Sequence, residues 1–304
     1  MNTANKHPPV GFIGIGQMGL GMALRLRDAG HPVWVRDLRA DREALAAAAG
    51  AQVAVTPAAL ASVCTMVLVA VVDAAQVREL LFGPDGVVMA SPRPATVLLC
   101  PTISPEDVVD AAARLAEAGI ACVDAPMSGG PVRARDGSMS LMLAGDPAVL
   151  ARHETVLTDL SQQRFVVSSR VGDGARTKLV NNLLAAVNLA GASEAMALAQ
   201  QLGLDANTTL DVIERSSGQS WIGGERLRRA LAAAPDQPLE VRAATALLAK
   251  DSTLAMAMAA QAGQSPALGA QAAAVFRQAC DDGLTDHDDA SLLAWTVRRQ
   301  TRGA

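Results

Sequence analysis

The chain has 304 residues, 50% hydrophobic and 18% charged, with a formal net charge of −4. That length suits one large globular domain or two ordinary ones, and the apolar content excludes an intrinsically disordered chain. With 26 Lys and Arg against 30 Asp and Glu, no Tyr, four Phe and three Trp, neither nucleic acid nor an anionic membrane is an expected partner.

Short β-rich runs alternate with helical patterns through the first half. Val10–Ile15, Pro32–Arg36, Met66–Val72, Thr96–Cys100, Ile120–Asp124 and Met139–Ala144 read as strands. Most are continuous apolar runs, as expected of strands covered on both faces. The residues before Val10 contain no apolar segment of the secretory kind. Val53 to Val72 carries no charge over about a membrane-spanning length. Thr56-Pro57, Ser62 and Cys64-Thr65 interrupt it, so a short helix and then a buried strand are expected there. Ser104-Pro105-Glu106-Asp107 is a helix start, with a Ser cap, Pro in the first turn and an acid three residues on; Gly119 is the matching stop. Strand–helix–strand repetition predicts parallel strands with right-handed crossovers, a doubly wound α/β domain over residues 1–170.

After Gly172 the strand pattern ends. A long helix is expected over Ala175–Gln201, about 40 Å at 1.5 Å per residue. Further helices are expected at Ala206–Arg215, Glu225–Ala233, Leu239–Ala262, Pro266–Asp282 and Asp288–Thr301. Residues 171–304 therefore read as an all-α domain for substrate binding or dimerisation. The long helix begins where the α/β domain ends and is expected to wall the cleft where a substrate sits.

The four Cys (Cys64, Cys100, Cys122, Cys280) show no paired spacing, and reduced, mostly buried thiols are expected. The four His are far apart in sequence and form no metal-ligand pattern. A cytoplasmic protein without a metal site is the expectation.

Gly14-Ile15-Gly16-Gln17-Met18-Gly19 follows the first strand and opens a helix. Gly14 permits the tight turn, Gly16 lets backbone approach a pyrophosphate, and Gly19 allows close helix–strand packing. The helix start at Gln17 and Met18 then offers N–H groups and a positive dipole end to the anion. Asp37, 18 residues beyond Gly19 at the end of the next strand, is placed to accept the adenosine ribose hydroxyls. The fold class is thus α/β: a Rossmann-like doubly wound sheet followed by an all-α domain, joined by a long interdomain helix. A carboxylate at Asp37 repels a 2′-phosphate, so NAD is favoured over NADP, although Arg36 and Arg39 flank it and can reach such a phosphate after a modest rearrangement.

Four segments carry a more specific signal: Gly11 to Gly19, Asp124-Ala125-Pro126-Met127-Ser128-Gly129-Gly130, Gly172 to Asn182, and Lys250-Asp251. In this order they resemble the β-hydroxyacid dehydrogenases, a family that includes 3-hydroxyisobutyrate dehydrogenase, tartronate semialdehyde reductase and L-threonate dehydrogenase. The resemblance extends over nearly the whole chain. It implies an NAD(P)-dependent oxidoreductase that moves a hydride from the hydroxyl carbon of a small 3-hydroxy acid. It also implies a helical domain like that of 6-phosphogluconate dehydrogenase and assembly as a homodimer or homotetramer.

Lys178 and Asn182 are four apart on the predicted long helix and share a face, with Asn181 beside them. Spacing alone favours a solvated face. The scarcity of charge on this helix and its place at the domain junction point instead to function, since a Lys partly withdrawn from water has a lowered pKa and serves as a general acid/base. By resemblance, Lys178 takes the proton of the substrate hydroxyl and Asn182 holds that hydroxyl or the neighbouring carboxylate. Ser128, Gly129 and Gly130 follow a strand at the ligand-binding edge of the sheet and can curl into an anion nest. The resemblance assigns them, with Asn181, to the substrate. It assigns Thr102 to the neighbourhood of the nicotinamide and Lys250 to closing over the site, with Asp251 orienting or capping.

Departures from the family pattern matter. Pro101 stands where relatives often carry a second hydroxyl residue. Arg133 replaces a common Gly, and with Arg135 is expected to bring positive charge toward the substrate. That feature, with Val72 to Val77 and Leu81-Phe82-Gly83, resembles the L-threonate branch and favours a polar, hydroxylated acid. Two other functions remain open: imine reduction on the same scaffold, in which this Lys is usually missing, and a non-catalytic dinucleotide-dependent binding protein.

Overall fold

A computed structural model describes residues 7–233 and 238–302; most of the segment before Val10 lies outside the described residues. The chain divides into two compact units, Met1–Lys178 and Leu179–Ala304, and the division falls inside the long helix.

The first unit alternates strands and helices: β1 (Val10–Ile13), α1 (Gln17–Asp28), β2 (Val33–Arg36), α2 (Ala40–Ala48), β3 (Gln52–Val53), α3 (Pro57–Val63), β4 (Met66–Val69), α4 (Ala74–Phe82), β5 (Thr96–Leu99), α5 (Pro105–Glu117) and β6 (Ala121–Asp124). There follow β7 (Met127–Ser128), α6 (Gly130–Asp136), β8 (Ser140–Ala144), α7 (Pro147–Arg152), α8 (Glu154–Leu160) and β9 (Gln163–Ser168). The strands form one sheet in the order β3-β2-β1-β4-β5-β6-β8-β7, with β9 paired to β8. From β3 to β6 every pairing is parallel, and β8 then runs antiparallel to β6. Side chains leave a strand on alternate faces, so β1, β4 and β5 supply two cores. Phe12, Leu68 and Leu98 pack with Met22 and Leu26 of α1; Ile13, Val67, Val69 and Val97 pack with Leu60 of α3 and Leu115 of α5.

The uncharged stretch from Val53 resolves into α3 and the fully buried β4. Thr56 ends the preceding segment by capping α3, its hydroxyl accepting from Ala59 N at 3.0 Å. Ser104 caps α5 as the sequence predicts, accepting from Asp107 N at 3.0 Å. Three strands went unpredicted. β3 and β7 are two residues long, and β9 is an edge strand whose Phe165 and Val166 are exposed, so it lacks a buried apolar run.

The helix α9 (Asp173–Gln201) runs on into the second unit. It is the one helix among the described residues long and apolar enough to cross a membrane, and 44% of that apolar window is buried within the protein. After it come α10 (Ala206–Glu214), α11 (Trp221–Ala232), α12 (Thr245–Gln261), α13 (Ala267–Ala279) and α14 (Leu292–Arg302). Leu189, Ile222, Leu248, Phe276, Leu292 and Trp295 form the main core of this unit.

Two helix boundaries differ from expectation for visible reasons. The helix expected from Leu239 starts six residues later, because the Asp288 carboxylate accepts from Arg242 N and Ala243 N and holds that segment extended. The one expected from Glu225 starts at Trp221, because Ser220 caps it and accepts from Gly223 N at 3.1 Å.

Candidate active site

The glycine-rich turn has the geometry its sequence demands. Gly14 sits at φ +85, and a Cβ there would meet the Ala70 carbonyl oxygen at 2.6 Å. A Cβ on Gly19 would lie 2.1 Å from the Gly14 carbonyl oxygen, so only Gly lets α1 pack this closely. Gly16 differs: its Cβ position meets nothing within 4 Å, and it opens α1 without a side-chain cap or an acidic first turn. Gly16 and Gln17 are exposed and Met18 half-buried. An uncapped helix start beside open space fits a pyrophosphate, which is the shape a dinucleotide requires.

Asp37 is tied to that turn. Its Oδ2 accepts from Ile15 N at 2.7 Å and its Oδ1 from Arg39 N at 2.9 Å. Arg36 pairs with Glu43 at 2.7 Å, and the exposed Arg39 pairs with Asp41 at 2.7 Å. Both guanidinium groups therefore have carboxylate partners.

At the end of β6 the chain turns through Ser128 into Gly129 (φ +131) and Gly130 (φ +78), all half-buried. Arg133 packs against this turn, its Nε 3.3 Å from where a Cβ on Gly129 would stand, whereas Arg135 faces α1. Arg133 Nη2 donates to the Ser138 carbonyl at 2.5 Å, and Arg135 Nη2 pairs with Asp28 Oδ2 of α1 at 2.5 Å. Thr102 follows β5 in the segment before α5 and is half-buried.

Asp124, which opens the segment Asp124 to Gly130, has a role that its local sequence does not show. It is buried at the end of β6, where Oδ2 accepts from Gly172 N at 3.0 Å and from Ala175 N at 2.8 Å. A β-strand carboxylate thus satisfies the first N–H groups of α9 and fixes where that helix starts. Burial pushes its carboxyl up to about 6, against the opposing pull of the backbone N–H bonds. The available signal was an Asp closing an otherwise apolar strand.

Along α9 the buried positions Ala175, Lys178, Leu179, Asn182, Ala186, Leu189 and Ser193 follow helical spacing. Lys178 is 7% exposed and Asn182 8%, so both lie on the buried stripe and not on the solvated face that spacing alone favoured. Asn181 is exposed. Its Nδ2 donates to Asn182 Oδ1 at 3.0 Å, while Asn182 Nδ2 donates to Asp251 Oδ2 at 2.6 Å. Lys250 Nζ pairs with Asp251 Oδ1 at 2.8 Å. Two hydrogen bonds therefore set the Asn182 amide and leave one N–H and one lone pair for a ligand.

Residues 9–169 match the family model described as the NAD binding domain of 6-phosphogluconate dehydrogenase. Residues 172–296 match that described as NAD-binding of NADP-dependent 3-hydroxyisobutyrate dehydrogenase. The chain belongs to the β-hydroxyacid dehydrogenase family. An L-threonate dehydrogenase of Cupriavidus necator is 38% identical to this dehydrogenase over 218 residues, 72% of this chain and 73% of that one. One from Escherichia coli is 33% identical over 286 residues, 93% of each chain. A crystal structure of 3-hydroxyisobutyrate dehydrogenase from Salmonella typhimurium has a TM-score of 0.86 at 32% identity, covering 94% of this chain and 99% of that one. An imine reductase of Myxococcus stipitatus, at 19% identity and a TM-score of 0.63, shares the fold alone. The protein is an NAD(P)-dependent 3-hydroxy acid dehydrogenase, and the glycine turn fits that cofactor.

Proposed function

We propose that this dehydrogenase oxidises a short, polyhydroxylated 3-hydroxy acid of the L-threonate type, with NAD preferred and Lys178 as the general base. The observation that carries the reading is the burial of Lys178 one turn before Asn182 on the same helical stripe. An amine withdrawn from bulk water and one helical turn from a positioned amide is the kind of group general acid/base catalysis uses. The L-threonate dehydrogenases among its relatives favour the hydroxylated acid, and the Asp37 carboxylate favours NAD.

Bound NAD(P) supplies the hydride acceptor. Lys178 Nζ accepts the hydroxyl proton as the carbon–hydrogen bond breaks and the carbonyl forms, and returns it in the reverse direction. Asn182, held by Asp251, orients the hydroxyl through its remaining N–H and lone pair. Asn181 acts through Asn182. Ser128 with the Gly129 and Gly130 N–H groups holds the carboxylate, Thr102 lines the nicotinamide side, and Lys250 closes over the site as part of the cofactor-binding set. On the same reading the enzyme is a cytoplasmic homodimer or homotetramer that works on free small acids.

Purified protein mixed with NAD or NADP and a panel of hydroxy acids tests this by absorbance of the reduced cofactor. L-Threonate should turn over faster than 3-hydroxyisobutyrate, and NAD should outperform NADP. Cofactor binding without oxidation of any acid would support a binding protein instead.

A further inference from the structure

We propose that His7, His31 and Asp159 form a site for a divalent cation of the zinc class, apart from the dehydrogenase site. The histidines show no ligand spacing in sequence, and Asp159 lies 128 positions from His31. The fold nonetheless brings one donor atom from each residue within 4.8 Å of the other two. His31 stands just past the end of α1, where Gly30 turns the chain at φ +93 and His31 N donates to the Leu26 carbonyl at 3.1 Å. Its side chain is 0% exposed, and Nε2 lies 2.9 Å from Asp159 Oδ2 on α8. Asp159 accepts from His31 Nε2, so without a metal the proton sits on Nε2; a cation bound there takes the place of that proton, which moves to the buried Nδ1, a nitrogen with no hydrogen-bond partner of its own. The His7 ring lies 4.4 Å from that of His31, centroid to centroid, tilted by 48°.

Two imidazoles and a carboxylate are a donor set that zinc prefers over magnesium or calcium. Ligand atoms at about 2.0–2.2 Å from one zinc ion lie roughly 3 Å apart, which is the His31–Asp159 separation. His7 is half-buried and the Asp159 side chain is 31% exposed, so the remaining coordination position faces water. The neighbouring cation, Arg25, donates to the Asp159 carbonyl at 2.8 Å and leaves the carboxylate to the site. The negative end of α1 lies alongside, which favours a cation. The site is at the end of α1 away from the glycine turn, about 18 Å along a 12-residue helix. Its role is therefore a clip that fastens the chain before β1 onto α1 and α8.

Isothermal titration of the tag-free protein with zinc alone tests the site. One equivalent should bind, His7→Ala and Asp159→Asn should each weaken binding at least tenfold, and zinc should raise the melting temperature of the parent protein but not of His7→Ala. His7 lies outside the core, so its variant folds. Absence of stoichiometric binding, or binding unchanged in both variants, would overturn the proposal.

Discussion

Asn182 Nδ2 donates to Asp251 Oδ2 at 2.6 Å, and both residues are buried. An amide held by a carboxylate at this distance has a charge-assisted bond that fixes which end of the side chain is offered to a ligand. Asp251→Ala frees that amide to rotate. It should lower kcat by roughly 10- to 100-fold, the cost of a misplaced positioning group, with a smaller change in cofactor affinity. Asp251→Asn keeps an acceptor and should recover part of the loss. Steady-state kinetics with separate kcat and KM check this.

The glycine turn separates packing from binding. Gly16→Ala has open space for its Cβ and an ordinary φ of −61, so stability should change by no more than about 0.5 kcal/mol. On the proposed placement of the pyrophosphate at this turn, the added methyl should raise the Kd for NAD(P) at least tenfold. Gly19→Ala forces a methyl to 2.1 Å from the Gly14 carbonyl and should cost about 1–3 kcal/mol. Thermal melts and cofactor titration distinguish the two.

Asp124 gives a pH signature. Burial raises its carboxyl from 3.8 to about 6 in the folded protein. A raised folded pKa favours the protonated form on folding, so this group's contribution is complete below pH 3.8 and is lost as pH rises through about 6. Asp289, whose carboxyl burial also lifts to about 6, contributes in the same window, so the comparison with wild type isolates Asp124. Asp124→Asn retains an acceptor for the Gly172 and Ala175 N–H groups and should flatten the pH dependence of the melting temperature across that window. Asp124→Ala orphans both N–H groups and should cost about 1–3 kcal/mol for each.

The proposed preference for NAD rests on Asp37. Its carboxylate should make NADP bind about tenfold more weakly than NAD, a repulsion near 1.4 kcal/mol. Asp37→Ser should narrow that ratio, as read from the two dissociation constants. An unchanged ratio would separate Asp37 from the choice.

The parallel sheet was legible because β1, β4 and β5 are continuous apolar runs, and such runs fit strands buried on both faces. The glycine turn was legible because Gly14 and Gly19 each answer a distinct steric demand, while Gly16 leaves open space at the helix start. What stayed hidden depended on distant partners. No local pattern tells that Asp288 holds residues 242 and 243 extended, or that Asp124 caps a helix 48 positions on. The side of α9 that carries Lys178 was also beyond local spacing, since period alone places Lys178 and Asn182 together without saying which face is buried.

The most direct measurement is the turnover of Lys178→Ala with a hydroxy acid that the parent enzyme oxidises, alongside its melting temperature and NAD affinity. Loss of a general base should lower kcat by about 10²- to 10⁴-fold while folding and NAD binding persist. A Lys178→Ala enzyme that keeps full turnover would contradict the assignment of the proton to this lysine.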